Sequence, residues 1–518
     1  MPNTNWLDRT IGLVSPKQGL KRARARAVTA LIERRYDGAK VGRRSDGWIT
    51  SSNDANTEIA TDLIRLRNRS RDLVRNNAYA AKAVFALTAN LVGTGIIPRA
   101  RSTHEHGAVQ ADQLWARWSQ QLDMDGNADF SGIQTLVART LVESGECLVR
   151  FLPRSAAEGL AVPLQLQVLE PDHLDASRDG ATSHGGWIQQ GIEFDRLGLR
   201  VAYWLFPHHP GAFSHTHGMN ISIRVEHHDV LHIFDRQRPG QIRGVTWFAP
   251  AIVKLRDLDD YDDAELMRKK IEACFVAFVM GSDDADPLGD VDSDEAPVER
   301  FEPGMVEYLP PGKDIKFGQP NSTAGYSDYM RVQLHAVASA VGLTYELLTG
   351  DLSQVNYSSI RAGLIEFRRR IKQLQTQLLI PALCQPVWQR FIQTAQAAGT
   401  LPPGDYWAQW TPPRFEAVDP IKDVQADILA VRAGLMTLKE AIARQGYDPS
   451  LVLKEISATF EELDELGIVL DTDPRKSTRT GADKPFDTED PSNASSTPNK
   501  TGEPNKPSNA SDVEKEYD

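Results

Sequence analysis

Between residues 360 and 378 the apolar side chains fall at Ile360, Leu364, Phe367, Ile371, Leu374 and Leu378, spaced 4-3-4-3-4. Only an α-helix brings such a series onto one face, so the stretch predicts a long helix whose stripe packs on a neighbouring helix. Ser358 or Ser359 is placed to cap its start by accepting a first-turn N–H. Pro381 and Pro386 should kink or segment the continuation, because each removes a helical donor. A second helical surface is available. Ile59, Leu63, Leu66, Leu73, Val84, Leu87 and Leu91 recur at mostly three- and four-residue steps, predicting an amphipathic helix with a break near Asn76-Asn77. Arg65, Arg67, Arg69, Arg71 and Arg75 are expected on its wet face. The segment VGTGIIPRA stops it, and helical spacing returns over 108–122 and 131–144.

The period then changes. Residues 147–152, 164–169, 191–194, 201–206, 221–225 and 230–234 are short β-rich runs separated by Pro, Gly, Asp and His. They predict a mixed α+β region ending near 245. Pro250 suits the first turn of a helix running to Ala273, with Asp257, Asp259, Asp260, Asp262, Asp263 and Glu265 between its apolar residues. A strand-like CFVAFVM, an acidic loop (GSDDADPLGDVDSDEAP) and the β-like pieces MVEYL and IKFG precede a helix expected over 326–341. The aromatic run YWAQWTPPRF reads as a strand, and 420–467 as helical. Residues 471–518 hold six Pro and almost no large apolar residue, a composition expected to stay disordered.

Length and charge limit the function classes. At roughly 150 residues per domain, 518 residues suggest two to four domains or one elongated protomer. The formal charge is −12, unlike a protein that coats nucleic acid by neutralising phosphates. It is uneven: residues 1–44 carry eleven Lys or Arg against three acids, a +8 arm on a −20 remainder. Such an arm suits nucleic-acid or partner binding, or is a solvated, removable extension. Cys147, Cys274 and Cys384 lack CxxC spacing and read as thiols in a reducing compartment. The longest apolar stretch, Ala273 to Met280, is too short to span a membrane, and the amino terminus lacks a secretory pattern. A soluble, cytosolic product is expected, with no membrane partner.

Catalytic signatures are missing. Gly312-Lys313 has Glu307 where a phosphate loop needs its leading glycine, and there is no G-x-S-x-G, H-E-x-x-H or G-x-G-x-x-G. Seven of twelve histidines lie between 208 and 232: His208, His209, His215, His217, His227, His228 and His232. They form either a polar surface loop or a metal-ligand set. Asp290–Glu295 (DVDSDE) begins like a calcium loop, but Glu295 replaces the turn glycine and Phe301 the bidentate Glu. A solvated loop is the expectation there, with no cofactor and no metal.

Longer motifs carry a resemblance. GLTYELLTGDLSQVNYSSIRAGLIEFRRRI (342–371) and WTPPRFEAVDPIKDVQADILAVRAGLMTLKEAIARQGYDP (410–449) resemble signature regions of portal proteins from lambda-type tailed bacteriophages. GIEFD…VAYWLF and VLHIFDRQRPGQIRGVTWFAPAI are similar to the same family, in the same order, so the resemblance covers about residues 57–470.

The resemblance implies an α+β portal fold with wing, stem, clip and crown, assembled as a ring, expected as a dodecamer. Mapped here, 1–56 is a basic arm, 57–245 the wing, 246–273 the first stem helix, 274–325 the clip and 326–345 the second stem helix. Residues 346–419 hold the tunnel loop, the long helix and a wing strand, 420–470 the crown and 471–518 the tail. The implied role is a non-enzymatic head–tail connector at one capsid vertex of the virion, assembled in the host cytoplasm. It would pass double-stranded DNA during packaging and ejection, and would meet the terminase large subunit, the major capsid protein and head-completion or tail adaptor proteins. Asp351, Ser353, Gln354, Asn356 and Tyr357 are the expected channel loop. Asp257, Asp259, Asp260 and Asp263 are the expected acidic stem face, keeping a sliding polyanion centred by repulsion. The alternatives are a metal-dependent nuclease using the His or Asp clusters, and a protein-only assembly adaptor.

Overall fold

Asn77 shows how the amino-terminal helices are punctuated. Its backbone is extended, and its side-chain oxygen accepts the Ala80 N–H at 2.8 Å, so one helix ends and the next begins there. The computed structural model describes residues 50, 52–103, 105–212, 220–273, 277–280, 314–317, 325–416 and 419–470, with isolated positions at 17, 21, 43, 46, 47, 473 and 475. Apart from those positions, residues 1–49 of the basic arm, the tail, the Asp290–Glu295 loop, MVEYL, His215 and His217, and most of the clip lie outside the described residues.

The chain divides into two compact units, Met1–Val418 and Asp419–Asp518. The first opens with α1 (Ala55–Ala60), α2 (Leu63–Asn76) and α3 (Ala78–Val92). The predicted helix is thus real but interrupted twice, at Asp62 as well as Asn77. Strand β1 (Ile97–Ser102) and helices α4 (Glu105–Trp118) and α5 (Phe130–Ser144) follow. The β-rich region yields β2 (Glu146–Pro153) and β3 (Leu164–Leu169). After them come β4 (Gly180–Ala181), β5 (Trp187–Gln189), β6 (Ile192–Phe194), β7 (Arg200–Leu205), β8 (Ile223–Glu226) and β9 (Val230–Phe234). They form two antiparallel sheets, of order β3-β2-β9 and β4-β5-β6-β7-β8.

Beyond them lie α6 (Ile252–Ala273), the antiparallel strands β10 (Ala277–Met280) and β11 (Asp314–Phe317), α7 (Tyr326–Val341), α8 (Tyr345–Thr349) and α9 (Tyr357–Leu374). In α9, Phe367, Ile371 and Leu374 are buried and Ile360 and Leu364 half-buried, as the stripe requires. Its cap is not a serine: Asn356 accepts the Ser359 N–H at 2.8 Å. The prolines do not end the helix. Residues Gln375–Cys384 continue it in wide π-type turns that contain Pro381, and Pro386 falls in the first turn of α10 (Gln385–Ala397), where its missing donor costs nothing.

Strand β12 (Tyr406–Thr411) closes the unit by pairing antiparallel with β1, Ile97 opposite Thr411 and Ser102 opposite Tyr406. Trp115 is the hub that fixes this closure. Its ring centre lies 5.3 Å from Trp118, 5.1 Å from Phe130, 5.2 Å from Trp388 and 5.1 Å from Phe391. Contacts of this kind add about 1 kcal/mol each to the area they bury, and here they join α4, α5 and α10.

The second unit contains α11 (Pro420–Arg432), α12 (Leu438–Arg444) and α13 (Pro449–Leu466). Asp419, Thr437 and Asp448 each cap one through a side-chain oxygen. Met436 is its one buried hydrophobic among the described residues. No described helix is long and apolar enough to cross a membrane.

Candidate functional site

The acidic helix α6 is anchored through its first half. Ile252, Leu255 and Leu258 are buried, while Leu266 and Met267 are exposed. It runs antiparallel to α7: Lys254 donates to Gln333 at 2.8 Å near one end, and the Tyr326 hydroxyl donates to Asp262 nearer the other. Tyr261 sits between Tyr326 and Tyr329, with ring centres 5.8 and 4.9 Å away. The hydrogen bond to Asp262 pushes the Tyr326 hydroxyl up to about 12, so this contact persists across the ordinary pH range.

Asp257, Asp260 and Asp263 are exposed at three-residue steps, a row that turns about 120° around the helix, with Asp260 held 3.0 Å from Arg256. Asp259 is set apart by burial and not by angle: about 40° around the helix from Asp263, it is half-buried and accepts the Asn77 side-chain amide at 2.6 Å. Burial there raises its carboxyl above the usual range despite the Asn77 hydrogen bond. The four aspartates are therefore three on the surface and one that joins α6 to the α2–α3 junction.

The expected channel loop is a tight connection between α8 and α9. Gly350 ends α8 in the left-handed conformation at φ 76°, which a side chain would strain. Asp351 accepts the Ser353 N–H at 2.9 Å and the Tyr345 hydroxyl at 3.3 Å, and its own N–H donates to Thr349 Oγ1 at 3.1 Å. The Ser353 hydrogen bonds hold its carboxyl below the usual range. Ser353 and Gln354 are exposed, Asn356 is exposed but occupied as the α9 cap, and Tyr357 opens the helix. Leu352 is also exposed.

The largest correction is at α2. Arg67 and Arg71 are not on a wet face. Arg67 is 2% exposed and donates to Glu146 at 3.0 Å, and its other terminal nitrogen lies 3.2 Å from Asp172. Arg71 reaches Asp172 at 2.7 Å and Glu170 at 3.2 Å. Glu146 also accepts Arg243 Nε at 3.0 Å, His232 at 2.9 Å and the Gly244 N–H at 2.8 Å. Burial pushes this carboxyl up, but Arg243 and His232 outweigh it and hold it well below its ordinary value. The sequence signal was Glu146 itself, a charge at the head of the apolar run ECLVRF.

The described histidines of the 208–232 run do not converge. His232 is on strand β9, buried and bound to Glu146, and burial lowers it to about 4, so it is neutral. His227 and His228 lie in a short turn before that strand. One His–acid cluster occurs among the described residues, Glu170, Asp172 and His209. His209 Nδ1 accepts the Gly211 N–H at 3.0 Å, which leaves Nε2 carrying the proton, 3.1 Å from Glu170. Arg71 binds both carboxylates, so the cluster is held together by ion pairs.

Comparison with known proteins bears on the same elements. The family model described as "Phage portal protein, lambda family" matches residues 41–375. Among curated relatives, the chain is 29% identical over 465 residues to the probable portal protein of Halomonas phage phiHAP-1, covering 84% of this chain and 88% of that one. It is 20% identical over 476 residues to portal protein B of Escherichia phage lambda, covering 82% and 89%. Among solved structures, the neck of a native gene transfer agent particle computed with C12 symmetry aligns over 79% of this chain and 99% of that one. The TM-score is 0.42 and the identity 15%. An HK97-family phage portal protein from Corynebacterium diphtheriae aligns over 69% and 96%, with TM-score 0.33 and 10% identity. With the family model spanning more than half its length, the chain belongs to the lambda family of phage portal proteins, structural connectors of head and tail.

Proposed function

We propose that the chain works as a closed homo-oligomeric ring, of twelve copies by the family expectation, whose central channel passes double-stranded DNA into and out of the phage head. It would stand at one capsid vertex of the virion after assembly in the host cytoplasm. There it would contact the major capsid protein, dock the terminase large subunit during filling and receive head-completion or tail adaptor proteins afterwards. Residues 57–245 with β12 would be the wing, 246–273 and 326–345 the stem, 274–325 the clip and 420–470 the crown. The ring performs no reaction of its own in this reading. Chemical work comes from a separate ATPase.

The observation that carries the reading is the family match across residues 41–375. The exposed row Asp257, Asp260 and Asp263 supports its mechanism. A conduit should repel phosphates weakly and evenly, because each cationic contact adds affinity and therefore friction. The exposed Ser353 and Gln354, with Asp351 beside them, present the sliding duplex with no fixed cation.

Charge reversal tests this directly. Asp257→Lys, Asp260→Lys and Asp263→Lys together should leave ring formation intact and reduce the DNA packaged per particle by tenfold or more. Unchanged packaging in intact rings would remove the acidic row from the channel.

A further inference from the structure

Strand β9 and the end of α9 enclose a cleft of about 720 Å³, within the size range of ligand sites. Its walls carry three guanidiniums, Arg200 from β7, Arg236 just past β9 and Arg370 from α9, against one carboxylate, Asp235. Among the described residues these three form no ion pair with a carboxylate, whereas Arg67, Arg71, Arg224, Arg243 and Arg390 all do. Two lie against aromatic faces instead: Arg200 is 5.5 Å from the Phe234 ring centre and Arg370 is 6.0 Å from that of Trp247. Such contacts orient a planar guanidinium, and one terminal nitrogen of Arg200 also donates to the Ile242 carbonyl at 3.4 Å. Arg236 is exposed at the rim.

Two further features point to the same place. His232 lines the cleft, and its side chain is only 1% exposed. Its Nε2–H donates to Glu146, which leaves the buried Nδ1 a bare acceptor with no hydrogen-bond partner among the described residues, open to a donor such as a P–OH group and not to an ionised phosphate oxygen. The opposite wall is the wide-turned segment Gln375–Cys384, which brings Gln377 to the cleft beside Gln373 of α9. Wide turns inside helices occur frequently at functional sites.

We propose that this cleft binds a phosphate group, carried by a nucleic-acid strand or by a free nucleotide. Arginine forks match phosphate oxygens in pairs, and three of them against one carboxylate leave an excess of positive charge for an anion. The site is separate from the channel loop: Arg370 lies fourteen residues beyond Asn356, about 20 Å along the helix at 1.5 Å per residue. The assignment does not depend on the conduit reading.

The test uses the full-length protein in its assembled form. A short fluorescent DNA strand is titrated by polarisation and deoxyadenosine triphosphate by calorimetry, each with inorganic phosphate as competitor. Wild type should bind at least one of them. Arg236→Glu combined with Arg370→Gln should weaken that binding about tenfold or more, while Arg69→Glu, the same reversal as Arg236→Glu but on the exposed face of α2, should leave it unchanged. Loss confined to the strand identifies strand phosphate as the ligand, and loss of triphosphate binding identifies a free nucleotide. Arg236→Glu alone, at an exposed position, carries the test if the double variant does not fold. The proposal is overturned if neither probe binds, if the cleft variants bind as tightly as wild type, or if Arg69→Glu weakens binding as much.

Discussion

At the scale of residues, Glu146 ties four parts of the first unit together. Its carboxylate receives Arg67, Arg243, His232 and the Gly244 N–H, joining α2, β2, β9 and the segment before α6. Removing one partner from a buried ion cluster leaves the others charged and unpaired, which costs about 3–5 kcal/mol. Glu146→Ala should therefore lower stability by that amount in chemical denaturation, and Glu146→Gln by less, because the amide oxygen still accepts one donor. Acid should act through the same cluster. His232 has its folded-state value depressed from 6.5 to about 4, so the unfolded chain binds its proton first. Stability is complete above about pH 6.5 and is lost as pH falls toward 4, at up to about 1.4 kcal/mol per pH unit. The depressed value of Glu146 adds a loss of the same sign below its ordinary range. Melting temperature measured from pH 7 to pH 4 should fall in wild type, and less steeply in His232→Gln; equal slopes would contradict the assignment.

At the scale of elements, junctions carry the constraint. Gly145 ends α5 at φ 89°, and a Cβ there would fall 2.2 Å from the Val245 carbonyl carbon. Strain and clash together should make Gly145→Ala cost at least about 2 kcal/mol, read as a lowered denaturation midpoint. Asn356→Ala should cost about 1 kcal/mol and speed hydrogen exchange in the first turn of α9, whereas Ser358→Ala should do neither. These junctions also mark how far the sequence could be read. Periodicity located Tyr326–Val341, the break at Asn77 and the apolar stripe of α9, because each is a local pattern. It misplaced Arg67, whose alternation looks solvated until a carboxylate 79 positions away closes on it. It also anticipated an interruption at Pro381, where wide turns absorb the missing donor, and set Asp259 with neighbours from which the Asn77 contact separates it. The exposure of Asp257, Asp260 and Asp263 was legible in the sequence, while the arginine cleft was not. Its three cations come from β7, the segment after β9 and α9, which only the tertiary fold brings together.

At the scale of the whole molecule, the formal charge of −12 first read against a nucleic-acid partner. Under the proposed conduit reading the sign takes another meaning, because such a channel would need a surface along which DNA slides rather than one that grips it. The proposed ring would cover with neighbouring copies the exposed Leu266 and Met267 on α6 and the described helices of the second unit, which bury few apolar residues. Electron microscopy of the purified full-length protein, with its mass in solution fixed by light scattering, tests the ring most directly. The account predicts closed rings with an open central pore wide enough for a B-form duplex. A stable monomer at micromolar concentration, with no rings in the images, would contradict it.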